Sequence, residues 1–462
     1  DGGILSSENH GSLAAGYVIA PFSILAYGDG SQASGIATVF NLIAAGDGSH
    51  AEGDSSQAIG YSSHAEGNST QAIGYGSHAE GISTYAGSTG AHSEGGGTIA
   101  LEEYSHAQGY LTIADGFASH AEGEVTCAFG EASHSEGYFT GATGYSSHAE
   151  GAFTIAVGIA SHAEGFGTTG IGLASHVEGY YTISGGTGAH AEGISINNLQ
   201  TLVDSILGTG ICIVDQVPLY AEGDGSHAEG GSSQALGDYS HTEGLATTAT
   251  VTAIAAHIEG IGCYSSAIAA HAEGICNTAG GTGSHAEGCN TCAIGACSHA
   301  EGAGTSDIVA LVNTIVPGKG VNIGQTGPVC NTAGGTASHA EGCGTQAIGT
   351  CSHSEGCATR AIGAASHAEG LGTVASGIAS HAEGDPTIAS GYASHAEGVN
   401  TTAGGTGSHA EGYGTSSTNF ASHAEGFNTV SVGTGTHAEG VETTANQYGG
   451  HAEGIQTISG GT

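Results

Sequence analysis

The stretch SHAEGNSTQAIGYGSHAEG, residues 63–81, returns to its first five letters after 14 residues, so that His64 and Glu66 reappear as His78 and Glu80. Histidine serves as a ruler for the rest of the chain. It recurs every 14 residues from His50 to His190, stands at His227 and His241, recurs again from His257 to His299 and from His339 to His451, and only His10 falls outside the pattern. A repeat this short cannot bury a core by itself, so its units must stack on one another.

Each unit reads S-H-A-E-G, two variable residues, T-x-A-x-G and two further variable residues, which predicts two short strands joined by two tight turns. Glycine closes each strand, where the backbone leaves the pleat through a conformation that disfavours a Cβ. Alternation places Ser and Ala of the first strand, and Thr and Ala of the second, on one face. Those small residues meet inside, and His and Glu point away from the interior. The predicted fold is all-β: a flattened parallel β-roll, or β-solenoid, of 14 residues per coil that rises by about 4.8 Å per coil. A helix is opposed by two glycines per unit and by the i, i+2 pattern.

Composition agrees with a narrow interior. Of 462 residues 87 are glycine, aromatics make up 6%, and Met and Trp are absent. Two basic residues against 43 acidic ones give a net charge of −41, which leaves no basic surface for phosphates and excludes nucleic acid as a partner. No run of 18 apolar residues is present, so no membrane span is expected in this segment, and no basic stretch precedes an apolar one as in a signal peptide. The start at Asp1 and the stop at Thr462 inside a repeat suggest a processed or partial chain.

Interruptions divide the chain into irregular early coils (1–48), a regular roll (49–193), an insertion with its return coil (194–226), a second roll (227–302), a second insertion with its return coil (303–338) and a final roll (339–462). In the first insertion Leu199, Leu202, Val203, Ile206 and Leu207 follow helical spacing, and in the second a similar run lies between Ser306 and Pro317, so short helical insertions are predicted. The two extra residues in 245–256 predict a bulged turn. Each return coil carries β-branched residues in the His and Glu slots, Ile211 and Ile213 in one and Val321 and Ile323 in the other. A slot that takes either His/Glu or Val/Ile reads as a packed interface.

The pattern S-H-A-E-G-x-x-T-x-A-x-G resembles the head repeat of YadA-type trimeric autotransporter adhesins, whose corresponding strand usually reads S-V-A-I-G, and is similar to repeats of phage tail and Gram-positive surface fibres. The resemblance covers nearly the whole chain from Ser12 onward. It implies a left-handed roll assembled as a homotrimer, with the first strand facing the trimer axis. His and Glu replace the family's Val and Ile here, so an apolar axis is not implied.

Stacked at about 4.8 Å, a column of bare carboxylates or of imidazolium ions would repel itself, whereas the two columns side by side compensate each other. One reading of His50/Glu52, His64/Glu66, His78/Glu80, His120/Glu122, His339/Glu341 and His353/Glu355 is therefore a structural, hydrogen-bonded ladder that fixes register, either as ionised pairs or with neutral His donating to Glu⁻. Ionised pairs would have their His pKa raised and their Glu pKa lowered by folding. The alternative is a ladder for a divalent metal such as zinc, nickel or copper, since imidazole plus carboxylate suits these ions and adjacent coils supply enough ligands. More than twenty near-identical copies, with no nucleophile or phosphate loop, argue against catalysis and against a cofactor.

Cysteine numbers 11, and all but Cys127 and Cys212 lie between 263 and 357. Cys343 and Cys357 sit four residues after their histidines on successive coils, and Cys276 and Cys289 at nearly matching positions, so both pairs are candidate disulfides in an oxidising setting. These features together predict a structural or adhesive extracellular fibre segment, displayed on a cell, spore or virion surface, that binds itself and an unknown surface receptor without catalysis. The alternative is a metal-binding fibre.

Overall fold

The computed structural model describes residues 3–196, 218–304 and 330–460. They fall into two compact units, one carrying 3–196 with 218–232 and the other carrying 233–304 with 330–460. Each unit is a parallel β-solenoid. His64–Asn68 pairs in register with His50–Asp54 on one side and His78–Ile82 on the other, so that His64 meets His50 and His78 while Glu66 meets Glu52 and Glu80. The short second strand Gln71–Ala72 pairs likewise with Gln57–Ala58 and Tyr85–Ala86. This is the predicted coil, and it repeats through both units.

The interior is as narrow as the sequence requires. Ser63, Ala65, Thr70 and Ala72 are buried, and the same four slots are buried coil after coil. Where Ser replaces the first-strand Ala, its hydroxyl finds the second-strand Thr: Ser93 Oγ lies 2.8 Å from Thr98 Oγ1, and Ser135 and Ser354 make the same contact with Thr140 and Thr359. Extra volume is matched by a loss elsewhere. Val177 is fully buried in an Ala slot, and the facing slot is Gly170, where an added Cβ would lie 3.4 Å from Val177 Cγ1. Asn277 replaces Thr and bridges coils, its Oδ1 accepting from Thr291 N at 2.9 Å and its Nδ2 donating to Gly288 O at 2.8 Å.

The glycines act differently from the expectation. Gly67 does turn out of the pleat at φ +125°, and a Cβ there would also lie 2.0 Å from the carbonyl oxygen of Gly81 in the next coil. Gly60, by contrast, has no positive φ; it is needed because a Cβ would lie 1.9 Å from Gly74 O. The left-handed positions are the residues just before Thr and Ser, and non-glycine side chains often hold them, including Ser69 (φ +58°), Val125 (+58°) and Phe139 (+53°). Such a conformation costs on the order of 1–3 kcal/mol for a β-branched or aromatic residue. It is offset by inter-coil hydrogen bonds that continue the ladder through the turn, as from Ser69 N to Asp54 O at 2.7 Å and Val125 N to Tyr110 O at 2.9 Å.

The early coils are longer: Leu13 pairs with Gln32 and Gln32 with His50, with neutral residues in the His and Glu slots. Three later departures leave the register intact. His190 pairs with His227, His241 with His257 and His299 with His339, so the strands on either side of each departure stay in phase. Around 250–256 this turn is closed by Ala253 N donating to Thr250 O at 2.8 Å, with Ala253 and Ala256 buried, as the bulged turn requires.

The fold class needs one correction. Among the described residues the chain is strand, turn and loop with no helix, because glycine punctuation and period-two patterning leave no helical stretch there. The predicted helical insertions, with Leu199 to Leu207 and the run from Ser306 to Pro317, lie outside the described residues. So do Ile211, Ile213, Val321 and Ile323. No helix among the described residues is long and apolar enough to cross a membrane.

Candidate metal centre

Because each first strand alternates about a buried Ala, the side chains on either side of it project together from the same face. In-register stacking then converts one His and one Glu per coil into two parallel columns. The rings of His50 and His64 are stacked with centroids 4.9 Å apart, and those of His64 and His78 with centroids 4.8 Å apart. His106 and His120 stack at 4.6 Å. In the second unit His299 and His339 stack at 5.0 Å, and His339 and His353 at 4.8 Å, so the column continues past the insertion between them.

In many coils the glutamate leans back toward its own histidine. Nε2 to Oε2 distances are 3.6 Å for His50–Glu52, 3.7 Å for His64–Glu66, 3.8 Å for His78–Glu80, 3.7 Å for His120–Glu122 and 3.7 Å for His353–Glu355. His339 and Glu341 occupy the same register as His353 and Glu355. These separations exceed a hydrogen bond. The Nε2 atoms of His64, His78, His120, His339 and His353 are shielded from solvent and have no hydrogen-bond partner among the described residues. A shielded nitrogen beside a carboxylate, with nothing bonded to it, has donor capacity to spare.

The charge state follows from this shielding. Burial pushes His64, His78, His120 and His339 below the usual histidine pKa, neighbouring imidazoles push the same way, and the glutamates only partly oppose them. Of the two charge states, the ladder thus favours neutral imidazole over ionised pairs: stacking at 4.8 Å desolvates the rings more than one carboxylate per coil compensates. One rung was overlooked in the repeat. At 108 the motif glutamate is glutamine, and His106, without a carboxylate of its own, is held down at about 4 by burial and by His120 and His92. The signal was a single letter in an otherwise uniform column.

A local departure occurs from 148 to 190. Glu164 and Glu178 hydrogen-bond each other, and this contact, with burial and the neighbouring Glu192, holds the Glu178 carboxyl up at about 7. His190 here lies 3.9 Å from Glu178 of the preceding coil.

Neutral imidazole and anionic carboxylate are the protonation states that bind a transition metal. A histidine, the glutamate two residues on and the next histidine bring one ligand atom each to within 4.8 Å of one another in His92/Glu94/His106, His148/Glu150/His162, His162/Glu164/His176, His271/Glu273/His285 and His285/Glu287/His299, and ten further groups of at least three potential ligands meet the same limit. Two nitrogens sharing one zinc at about 2.1 Å lie at most about 4.2 Å apart. Rings at 4.8 Å must therefore tilt toward each other, and the soft terminal torsion of histidine permits this at low cost. Two imidazoles and one carboxylate leave a coordination position open, the arrangement in which a bound metal activates water. These clusters correct two expectations, that the chain takes no cofactor and that it does no chemistry: repetition lets two successive rungs together supply two imidazoles and a carboxylate, with a histidine shared between neighbouring sets.

Among the described residues the cysteines form no disulfide. Cys343 and Cys357 are direct register partners, as anticipated. Cys289 instead pairs with Ile275, which places Cys276 one residue out of register with it. A thiol contact not anticipated joins Cys292 and Cys330.

No protein-family model matches this chain, and neither does any curated protein. The likeness to YadA-type repeats is thus carried at the level of the parallel β-solenoid, and the site is argued from its own geometry.

Proposed function

We propose that this chain is a metal-binding β-solenoid scaffold, whose His/Glu columns take up divalent transition ions such as zinc, nickel or copper. The observation that supports it is the recurrence, coil after coil, of two imidazoles and one carboxylate within 4.8 Å. The depressed histidine pKa values add to it, since a metal need not displace protons from the ladder at neutral pH. The solenoid supplies the spacing, and the ring tilt makes each site adaptable rather than rigid. Equilibrium dialysis of chelator-stripped protein against zinc at pH 7.5 tests the reading: several ions per chain, with Glu→Gln changes at His/Glu rungs reducing the number, are expected. Retention of less than one ion per chain would overturn it.

A role as an extracellular fibre, assembled as a homotrimer and adhering through its surface, is a second and compatible reading. It is favoured by the exposed aromatic strip of Tyr138, Phe139, Phe153, Tyr180 and Tyr181, whose rings lie along one edge of the roll. Light-scattering mass measurement with and without metal tests it, a monomer in both conditions counting against it.

A further inference from the structure

One pair of side chains outside the ladder is brought together by register alone. The residue four after the motif histidine forms a column in the second unit that runs Ile275, Cys289, Ala303, Cys343, Cys357, Leu371. Within it Cys343 and Cys357 are neighbours on adjacent strands. Paired strands lie about 4.8 Å apart, inside the Cα range of about 4.4–6.8 Å that a disulfide spans. Cys289 is separated from Cys343 by Ala303, so it lies two strand spacings away and out of reach. The two thiols hydrogen-bond each other, and both are only half-buried, so a small reagent can reach them.

We propose that Cys343 and Cys357 are a redox site that closes into a disulfide rung between consecutive coils, with a small-molecule disulfide such as oxidised glutathione as the oxidant. The chemistry is two exchanges. The Cys343 thiolate attacks one sulfur of glutathione disulfide, forms a mixed disulfide and releases one glutathione thiolate. The Cys357 thiolate then attacks the Cys343 sulfur and releases the second. Two protein thiols are oxidised, one glutathione disulfide is reduced to two thiols, and the two protons lost by the cysteines are taken up by the released glutathione. The same balance holds with Cys357 leading, since the two cysteines are register partners and both are half-buried.

The test is done on full-length, metal-free protein. Reduced chain is treated with glutathione disulfide, remaining thiols are alkylated, and the product is cleaved after glutamate, which separates Cys343 from Cys357 at Glu355. Cys351 shares the Cys343 peptide, so the experiment uses Cys351→Ser. A linked pair of peptides, two hydrogens lighter than the reduced pair and lost in Cys343→Ala, is expected. Alanine already occupies this column at Ala303, so that variant keeps a side chain the strand accommodates. The oxidised Cys351→Ser protein is also expected to melt several degrees higher than its reduced form, and a further Cys357→Ser change to abolish the gain. Alkylation of both Cys343 and Cys357 after oxidation, or a linked species that survives Cys343→Ala, would overturn the proposal.

Discussion

In their first-strand motifs, Ser63–Gly67 and Ser105–Gly109, the coils of His64 and His106 differ by one group, the carboxylate of Glu66 against the amide of Gln108. Their rings stack alike, at 4.8 Å onto His78 and 4.6 Å onto His120. Their electrostatics do not match: around His64 the carboxylates of Glu66 and Glu52 oppose the burial that lowers its pKa, whereas His106 has no such opposition and is held at about 4. Strand register therefore places the rings, and glutamate offsets part of the pKa depression and completes the ligand set. The two functions of the column are separable.

The largest effect should come from breaking what the two coils share. Gly67→Ala and Gly109→Ala would each place a Cβ against the next coil, 2.0 Å from Gly81 O and 2.1 Å from Gly123 O respectively, at positive φ. Each should cost about 3 kcal/mol or more, and the two losses should agree within about 1 kcal/mol in denaturant titrations, because charge plays no part. A much smaller loss at Gly109 would mean that Gln108 relaxes the backbone.

Next in size is the dependence on pH. The folded histidines bind protons less readily than the unfolded ones, so their contribution is fully present above the unfolded pKa of about 6.5 and is lost as pH falls toward 4, where His106 itself titrates. Glu178 has the opposite sign: its carboxyl, raised to about 7, stabilises the fold in acid and loses that contribution as pH rises through 7. Glu150 is raised as well, by burial and its contact with Glu164, but histidines with lowered pKa far outnumber these two glutamates, so thermal melts should decline from pH 7 to pH 4. A maximum in mildly acidic solution would restore the ion-pair ladder.

A smaller and more local change sharpens the comparison. Gln108→Glu supplies the missing carboxylate, so the His106 resonance should titrate above its wild-type midpoint of about 4, and zinc stoichiometry should rise by one or fewer ions per chain. A His106 midpoint that does not move would show that Glu has no part in tuning its column.

The coil itself was legible because period-two alternation and a 14-residue return leave only one way to hide Ala, Ser and Thr while exposing His and Glu. Turn chemistry was not. Sequence reasoning gave every glycine the same conformational task, whereas Gly60 is fixed by the approach of the next coil and the left-handed sites are held by residues such as Val125. The outward direction of His64 was readable; its charge state was not, because shielding by stacked rings exists only once the coils assemble. Cys276 and Cys289 stand five and four residues after their histidines, and because the coils stay in phase that offset of one keeps them from being register partners. Gln108 was in plain view and was hidden by the regularity around it.

The central claim is that the rungs themselves hold metal. It is tested most directly by anomalous diffraction at the zinc edge from crystals equilibrated with zinc at neutral pH. The account predicts peaks between successive histidines beside the glutamate, as at His148/Glu150/His162 and His271/Glu273/His285, and none between His106 and His120, where the carboxylate is missing. Zinc density confined to the cysteines or to scattered surface carboxylates, with the His/Glu columns bare, would contradict it.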